Sequence, residues 1–135
     1  MQMRINGWED ALARVIEQHA SQPLFYGVSD CGQLAADAVF AVTGTDVFKD
    51  YRNYKTEVGA RRILQKAGCK DLSDLFAKFF TPIHPFLAKR GDIGIVEQDG
   101  NICAGVFTGT GFACKSETGI FYLGIDAVHQ AFSVG

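Results

Sequence analysis

The run Phe25-Tyr26-Gly27-Val28-Ser29-Asp30-Cys31-Gly32-Gln33-Leu34 places a cysteine just after an aromatic-glycine turn and just before an apolar segment of helical period. This spacing delivers Cys31 to the first turn of a helix. Amide N–H groups without intrahelical partners and the positive end of the helix dipole favour a thiolate there. Cys31 is therefore the candidate nucleophile, and its bland alternative is a small buried hydrophobe. Asp30 reads as the helix N-cap, and Asp92 as a turn former bonding nearby backbone N–H groups.

A thiol nucleophile that cleaves amides needs an imidazole, which stabilises the thiolate and protonates the leaving amine. Three histidines are available. His19 falls at the end of the first predicted helix and reads as a cation facing the helix C-terminus. His84, in Pro82-Ile83-His84-Pro85, lies in a stiff loop before the first predicted strand, from which it could serve as a replacement base. His129 opens the last predicted strand beside Gln130 and reads as a surface residue or a second replacement base. The other cysteines are Cys69, Cys103 and Cys114, and no Cys-x-x-Cys spacing occurs. That argues against a zinc knuckle, and without a secretory context the thiols are expected to be reduced. No metal and no cofactor is expected. The minor alternative is that clustered thiols hold zinc or an iron–sulfur centre, or form a reversible disulfide.

The elements that must position these residues are legible as two halves. Asn6 with Glu9 resembles a capping box for a helix reaching about Gln18, with Trp8, Leu12, Val15 and Ile16 on one face. A second helix runs from Cys31 to about Val42 and closes at Thr43-Gly44, with Leu34, Ala35, Ala38, Val39 and Val42 as its apolar face. Thr56 caps a third, Glu57 to Ala67, and Asp71 a fourth, Leu72 to Phe80, ended by Pro82 and Pro85. The Phe76, Phe79 and Phe80 cluster reads as core. From Gly91 onward the period shortens to five strands: 93–97, 102–108, 112–115, 120–123 and 128–134. Turns at Asp99-Gly100, 109–111 and Thr118-Gly119 separate them, predicting an antiparallel meander. The expectation is one α+β domain over residues 1–135, with a small curled sheet packed on the helix that begins at Cys31.

The 135 residues are 47% hydrophobic and carry a net charge of −2, which suits a single core and lacks the basic footprint of a nucleic-acid binder. No nucleic-acid partner is expected. No stretch approaches the ~18 consecutive apolar residues of a membrane span, and Met1 to Trp8 contains no signal-peptide core, so a cytoplasmically made, unexported chain is expected.

Asp30-Cys31 at a helix start, intervening helices, Arg90-Gly91-Asp92-Ile93 opening a strand, and a Gly-centred second strand resemble the NlpC-type branch of papain-like cysteine peptidases. The closer likeness is to short phage-encoded members associated with tail tips, which Tyr54, Gly59 and Ala60 also fit loosely. The resemblance spans nearly the whole chain and implies a papain-like fold with Cys31 as nucleophile. It also implies a general base in a His-aliphatic-Gly-aliphatic strand. The counterpart here is Cys103-Ala104-Gly105-Val106-Phe107, so Cys103 occupies the family's histidine position. The third position, an imidazole orienter on the next strand, falls near Cys114 if one gap is allowed. On this alignment Cys31, Cys103 and Cys114 are expected to converge on one pocket.

Two functions follow from the resemblance. In the first, the domain is catalytically degenerate and structural, a component of a phage tail tip that docks onto tail hub or distal tail proteins. The warrant is the missing base, because a second thiol is a poor substitute for a general acid worth ~10²- to 10⁴-fold. In the second, it is an active peptidase or amidase that cuts peptidoglycan stem peptides during cell entry, with Cys31 as nucleophile and His84 or His129 recruited as base.

Overall fold

The computed structural model describes residues 3–135. Four helices precede a six-stranded antiparallel sheet, so the α+β class holds. The helices are α1 (Trp8–Ala20), α2 (Cys31–Thr43), α3 (Glu57–Lys66) and α4 (Leu72–Phe79). The strands are β1 (Thr81–Ile83), β2 (Ile93–Gln98), β3 (Asn101–Thr108), β4 (Gly111–Lys115), β5 (Ile120–Leu123) and β6 (Gln130–Ser133), in the spatial order β1-β6-β2-β3-β4-β5.

Three helices start as their capping residues dictate. The side chains of Asp30, Thr56 and Asp71 accept from the N–H groups of Gln33, Gly59 and Ser73/Asp74. The predicted box at Asn6 does not form. Gly7 is the N-cap of α1, in a left-handed conformation without any side-chain cap bond. A second correction concerns the sheet. The stretch ending α4 does not simply break the chain: Thr81–Ile83 forms an edge strand on β6, where Pro82 needs no ladder donor. Strand β6 in turn inserts beside β2, so the strands after β5 return across the sheet and it is not a plain meander.

The register assigns the two faces. Ile93, Ile95, Ala104, Val106, Ala113 and Phe132 face the main core with Leu34, Ala35, Ala38 and Val39 of α2, where small side chains let the helix lie close to the strands. The opposite face buries Val96, Phe107, Phe112, Cys114, Val128 and Ala131. Gly105 is required there: a Cβ would stand 2.3 Å from the Ala113 carbonyl oxygen and 2.6 Å from the Phe112 ring. That close approach lets Phe107 and Phe112 meet edge to face with centroids 4.9 Å apart. Asp92 ties the start of β2 to both chain ends. Its carboxylate accepts from the N–H groups of Lys89 and Val134 and from the Arg4 guanidinium.

Candidate functional site

The turn before α2 is built to hold the cysteine. Phe25 and Ser29 exchange backbone bonds, and Gly27 takes φ +89°, with its α-carbon so close to Tyr54 that a Cβ would stand 2.0 Å from the Tyr54 carbonyl oxygen. Asp30 does more than cap α2. One oxygen accepts from Gln33 N–H at 2.8 Å, the other from Gly27 N–H at 2.9 Å, and the Tyr54 hydroxyl lies 2.8 Å from both. Burial and the Asp30 charge push the Tyr54 phenol far up, so it remains a donor. The carboxylate thus fixes the angle at which the chain enters the helix, and with it the position of Cys31.

Cys31 and Cys103 meet. The Cys31 thiol lies beside the Cys103 thiol and the Ala104 N–H, and both cysteines open onto one cleft. Neither is in a disulfide. Their protons are held unequally. The neighbouring Cys31 thiol draws Cys103 down to about 7, whereas the Cys103 thiol together with burial raises Cys31 well above an ordinary thiol. The first charge of the pair is therefore drawn toward Cys103, and the two thiols titrate as a unit. Both line a cleft of about 610 Å³ between α2, the α3–α4 region and the β2–β3 hairpin, whose walls include Tyr26, Tyr51, Arg61 and Ile102.

Cys114 does not share that cleft. It pairs across β3 with Gly105, is wholly enclosed in the second core, and burial pushes its thiol up to about 12, with the Cys103 charge adding to the effect. The expected convergence of three sulfurs is thus corrected to two, since Cys114 is sealed behind Cys103. Among the described residues, no three His, Cys, Asp or Glu side chains gather where they could hold a metal ion.

No histidine lines the cleft. His84 is exposed and caps the short turn Pro85–Leu87, its Nδ1 accepting from Phe86 N–H at 3.1 Å. His129 is also exposed and lies one residue before β6, with Nδ1 accepting from Glu97 N–H at 3.2 Å. Neither replacement-base assignment has a geometric footing at Cys31. Cys69, at the end of α3, is buried and leans on the Ala67 carbonyl.

His19 is buried. It is 2% exposed, with Nδ1 2.7 Å from the Ser29 hydroxyl and Nε2 2.7 Å from Asp37. Because a carboxylate can only accept, Nε2 is the donor to Asp37. Asp37 also pairs with Arg52, which bonds Asp46 at 3.1 Å and the Gln33 side chain at 2.7 Å. Burial alone would raise Asp37, but the bonds from His19 and Arg52 outweigh it and hold the carboxyl below its ordinary value. Lys115 closes the end of α1, its Nζ donating to the carbonyls of His19 (2.7 Å) and Gln22 (2.6 Å). Neither this network nor the Lys115 cap had a signal in the spacing of the sequence, because each joins residues from separate elements.

The fold and site together define an α+β domain with a paired-thiol cleft at the start of its central helix. Residues 3–134 match the family described as "Domain of unknown function (DUF6950)", and the chain belongs to that family. No curated protein and no solved structure matches it.

Proposed function

We propose that the chain is an NlpC-like, papain-type domain that has lost amide hydrolysis and acts as a structural component of a phage tail tip, docking onto tail hub or distal tail proteins. The observation that carries the hydrolase ancestry and its loss is the contact between Cys31 and Cys103. The residue aligned with the family's imidazole is a thiol that lies beside the helix-tip cysteine, which supports this reading. In a thiol peptidase the imidazole holds the nucleophile as a thiolate; here Cys103 is drawn down while Cys31 is raised, so the helix-tip cysteine keeps its proton and that charge order is reversed. The virion setting is supported by the family resemblance of the motifs.

Incubation of the purified chain with peptidoglycan is expected to release no stem-peptide fragments. Release that Cys31→Ala abolishes would establish the alternative, an active peptidase or amidase. The tail-tip assignment is tested by protein mass spectrometry of purified particles of a phage encoding this chain. Its presence at the tail is expected, and its absence from the particle would overturn that part of the proposal.

A further inference from the structure

We propose that Cys103 and Cys31 form a thiol–disulfide exchange centre, in which Cys103 attacks small disulfides entering the cleft and Cys31 resolves the mixed disulfide. The proposal goes beyond the tail-tip reading and does not depend on it.

Three observations carry it. The two thiols lie beside one another on different elements, the α2 tip and the start of β3, and both open onto the same cleft. Both sulfurs are partly exposed to that cleft, Cys103 near the start of β3 beside the exposed Asn101 and Ile102, and Cys31 at the first turn of α2 with the Ala104 N–H beside it. Finally, the site lacks any imidazole. That deficit stalls an amine leaving group but not exchange, because the group expelled from a disulfide is a thiolate that leaves without a general acid.

The steps balance. The Cys103 thiolate attacks one sulfur of RS–SR, forming Cys103–S–S–R and releasing RS⁻, which takes a proton from water. Cys31 then gives its proton to solvent and attacks the Cys103 sulfur. The Cys31–Cys103 bond forms, and the second RS⁻ leaves. The two protein thiols are oxidised by two electrons, and the disulfide is reduced to two thiols. The first step prepares the second. The foremost cause holding Cys31 protonated is the neighbouring Cys103 thiol, and capping Cys103 removes its effect, leaving the Ala104 N–H and the helix N-terminus to favour a Cys31 thiolate. Closure needs the contact to shorten to the about 2.05 Å of an S–S bond. Cys103 is three residues after Gly100 of the hairpin turn at Asp99-Gly100, so the strand end can supply that movement.

The gain in rate is modest and calculable. At neutral pH a thiol titrating at about 7 is half ionised, against about 3% for an ordinary one. The loss of intrinsic nucleophilicity with falling pKa leaves roughly a threefold advantage.

The test is exposure of the reduced, full-length chain to oxidised glutathione near neutral pH, read by intact mass and peptide mapping. The wild type is expected to lose two hydrogens and to link Cys31 to Cys103. Cys31→Ser is expected to stop at one glutathione on Cys103, and Cys103→Ser to take up glutathione more slowly than Cys31→Ser. No oxidation of the wild type, a glutathione adduct that persists on it, or a link from Cys103 to Cys114 would each overturn the proposal without substitutions or assumptions about their folding. Faster uptake by Cys103→Ser than by Cys31→Ser would overturn the assignment of roles.

Discussion

On one side of the α2 tip lie Ser29, His19 and Asp37; on the other lie Cys31 and Cys103. The first group has the residue types and the 2.7 Å contacts of a nucleophile, a base and an orienting carboxylate, yet Ser29 is 0% exposed and His19 only 2%. No substrate reaches the Ser29 hydroxyl or the imidazole. The second group has the wrong base for amide chemistry but faces an open cleft. Residue type and mutual geometry thus do not assign a reactive centre; access and the proton inventory do. The Ser29–His19–Asp37 group instead anchors the turn that carries Asp30 and Cys31, so it positions the thiol pair.

The largest effect that would break this contrast is expected from His19→Leu. It leaves the Ser29 hydroxyl and one Asp37 oxygen without their partner, and the loss of stability should be about 3 kcal/mol, read by urea unfolding. If His19 were a hidden catalytic base, its loss would remove thiol chemistry without this destabilisation. In a folded fraction of His19→Leu, the Cys103 alkylation rate should stay close to that of the wild type.

Next in size is the coupling between the thiols. Alkylation follows the thiolate, so the reactivity of Cys103 should switch on as pH rises through about 7, where an uncoupled thiol would wait until about 8.5. Cys31→Ala removes the neighbouring thiol that lowers Cys103 and leaves the burial that raises it, so the midpoint should move up by about two units or more, roughly 2.7 kcal/mol of lost thiolate stabilisation at 1.36 kcal/mol per unit. Iodoacetamide rates across pH, with the modified peptide identified, check this. An unchanged midpoint would mean that the contact does not set the Cys103 charge.

How much of this was legible beforehand depends on sequence range. Asp30, Thr56 and Asp71 announced their helices because capping acts across three residues. Alternation over 93–115 likewise gave strands whose register places Cys103 on the face its neighbours require. The meeting of Cys31 and Cys103 was accessible only through the family alignment, since no local rule links positions 72 residues apart. Cys114 shows the limit of that route: its assigned position is on the expected strand, but the Phe107–Phe112 pair over Gly105 closes the second core around it. The edge strand Thr81–Ile83 was hidden because prolines read as breakers, and its partner β6 lies about fifty residues on. His19 was placed on the correct helix, but Ser29 and Asp37 come from beyond it, so its burial had no sequence signature.

Lys115 gives a smaller effect. Its ammonium closes the end of α1 through two carbonyls, although burial pushes its pKa down. Lys115→Met leaves both carbonyls unpartnered while relieving that desolvation, so the net loss should be about 1–2 kcal/mol in urea unfolding. Because the bond joins β4 to the α1–α2 connection, protection of the Gln22–Ser29 amides in hydrogen exchange should fall more than that of β2. Equal losses in both segments would show that Lys115 contributes to global stability alone.

The smallest effect is confined to acid. Asp37 has a folded pKa below its unfolded value, so its stabilisation is complete above the ordinary carboxylate range near ~3.9 and disappears as pH falls through the lower folded value. Asp37→Asn keeps the shape and an acceptor oxygen for His19 but removes the charge that pairs with Arg52. The variant's stability should therefore run parallel to that of the wild type above about pH 5, with the gap narrowing below it as the wild-type carboxyl protonates. A gap that stays constant down to the acid transition would mean that the Asp37 charge does not hold the turn. The anchoring of Ser29 would then rest on His19 packing and its hydroxyl bond alone, a neutral scaffold behind a charged thiol pair.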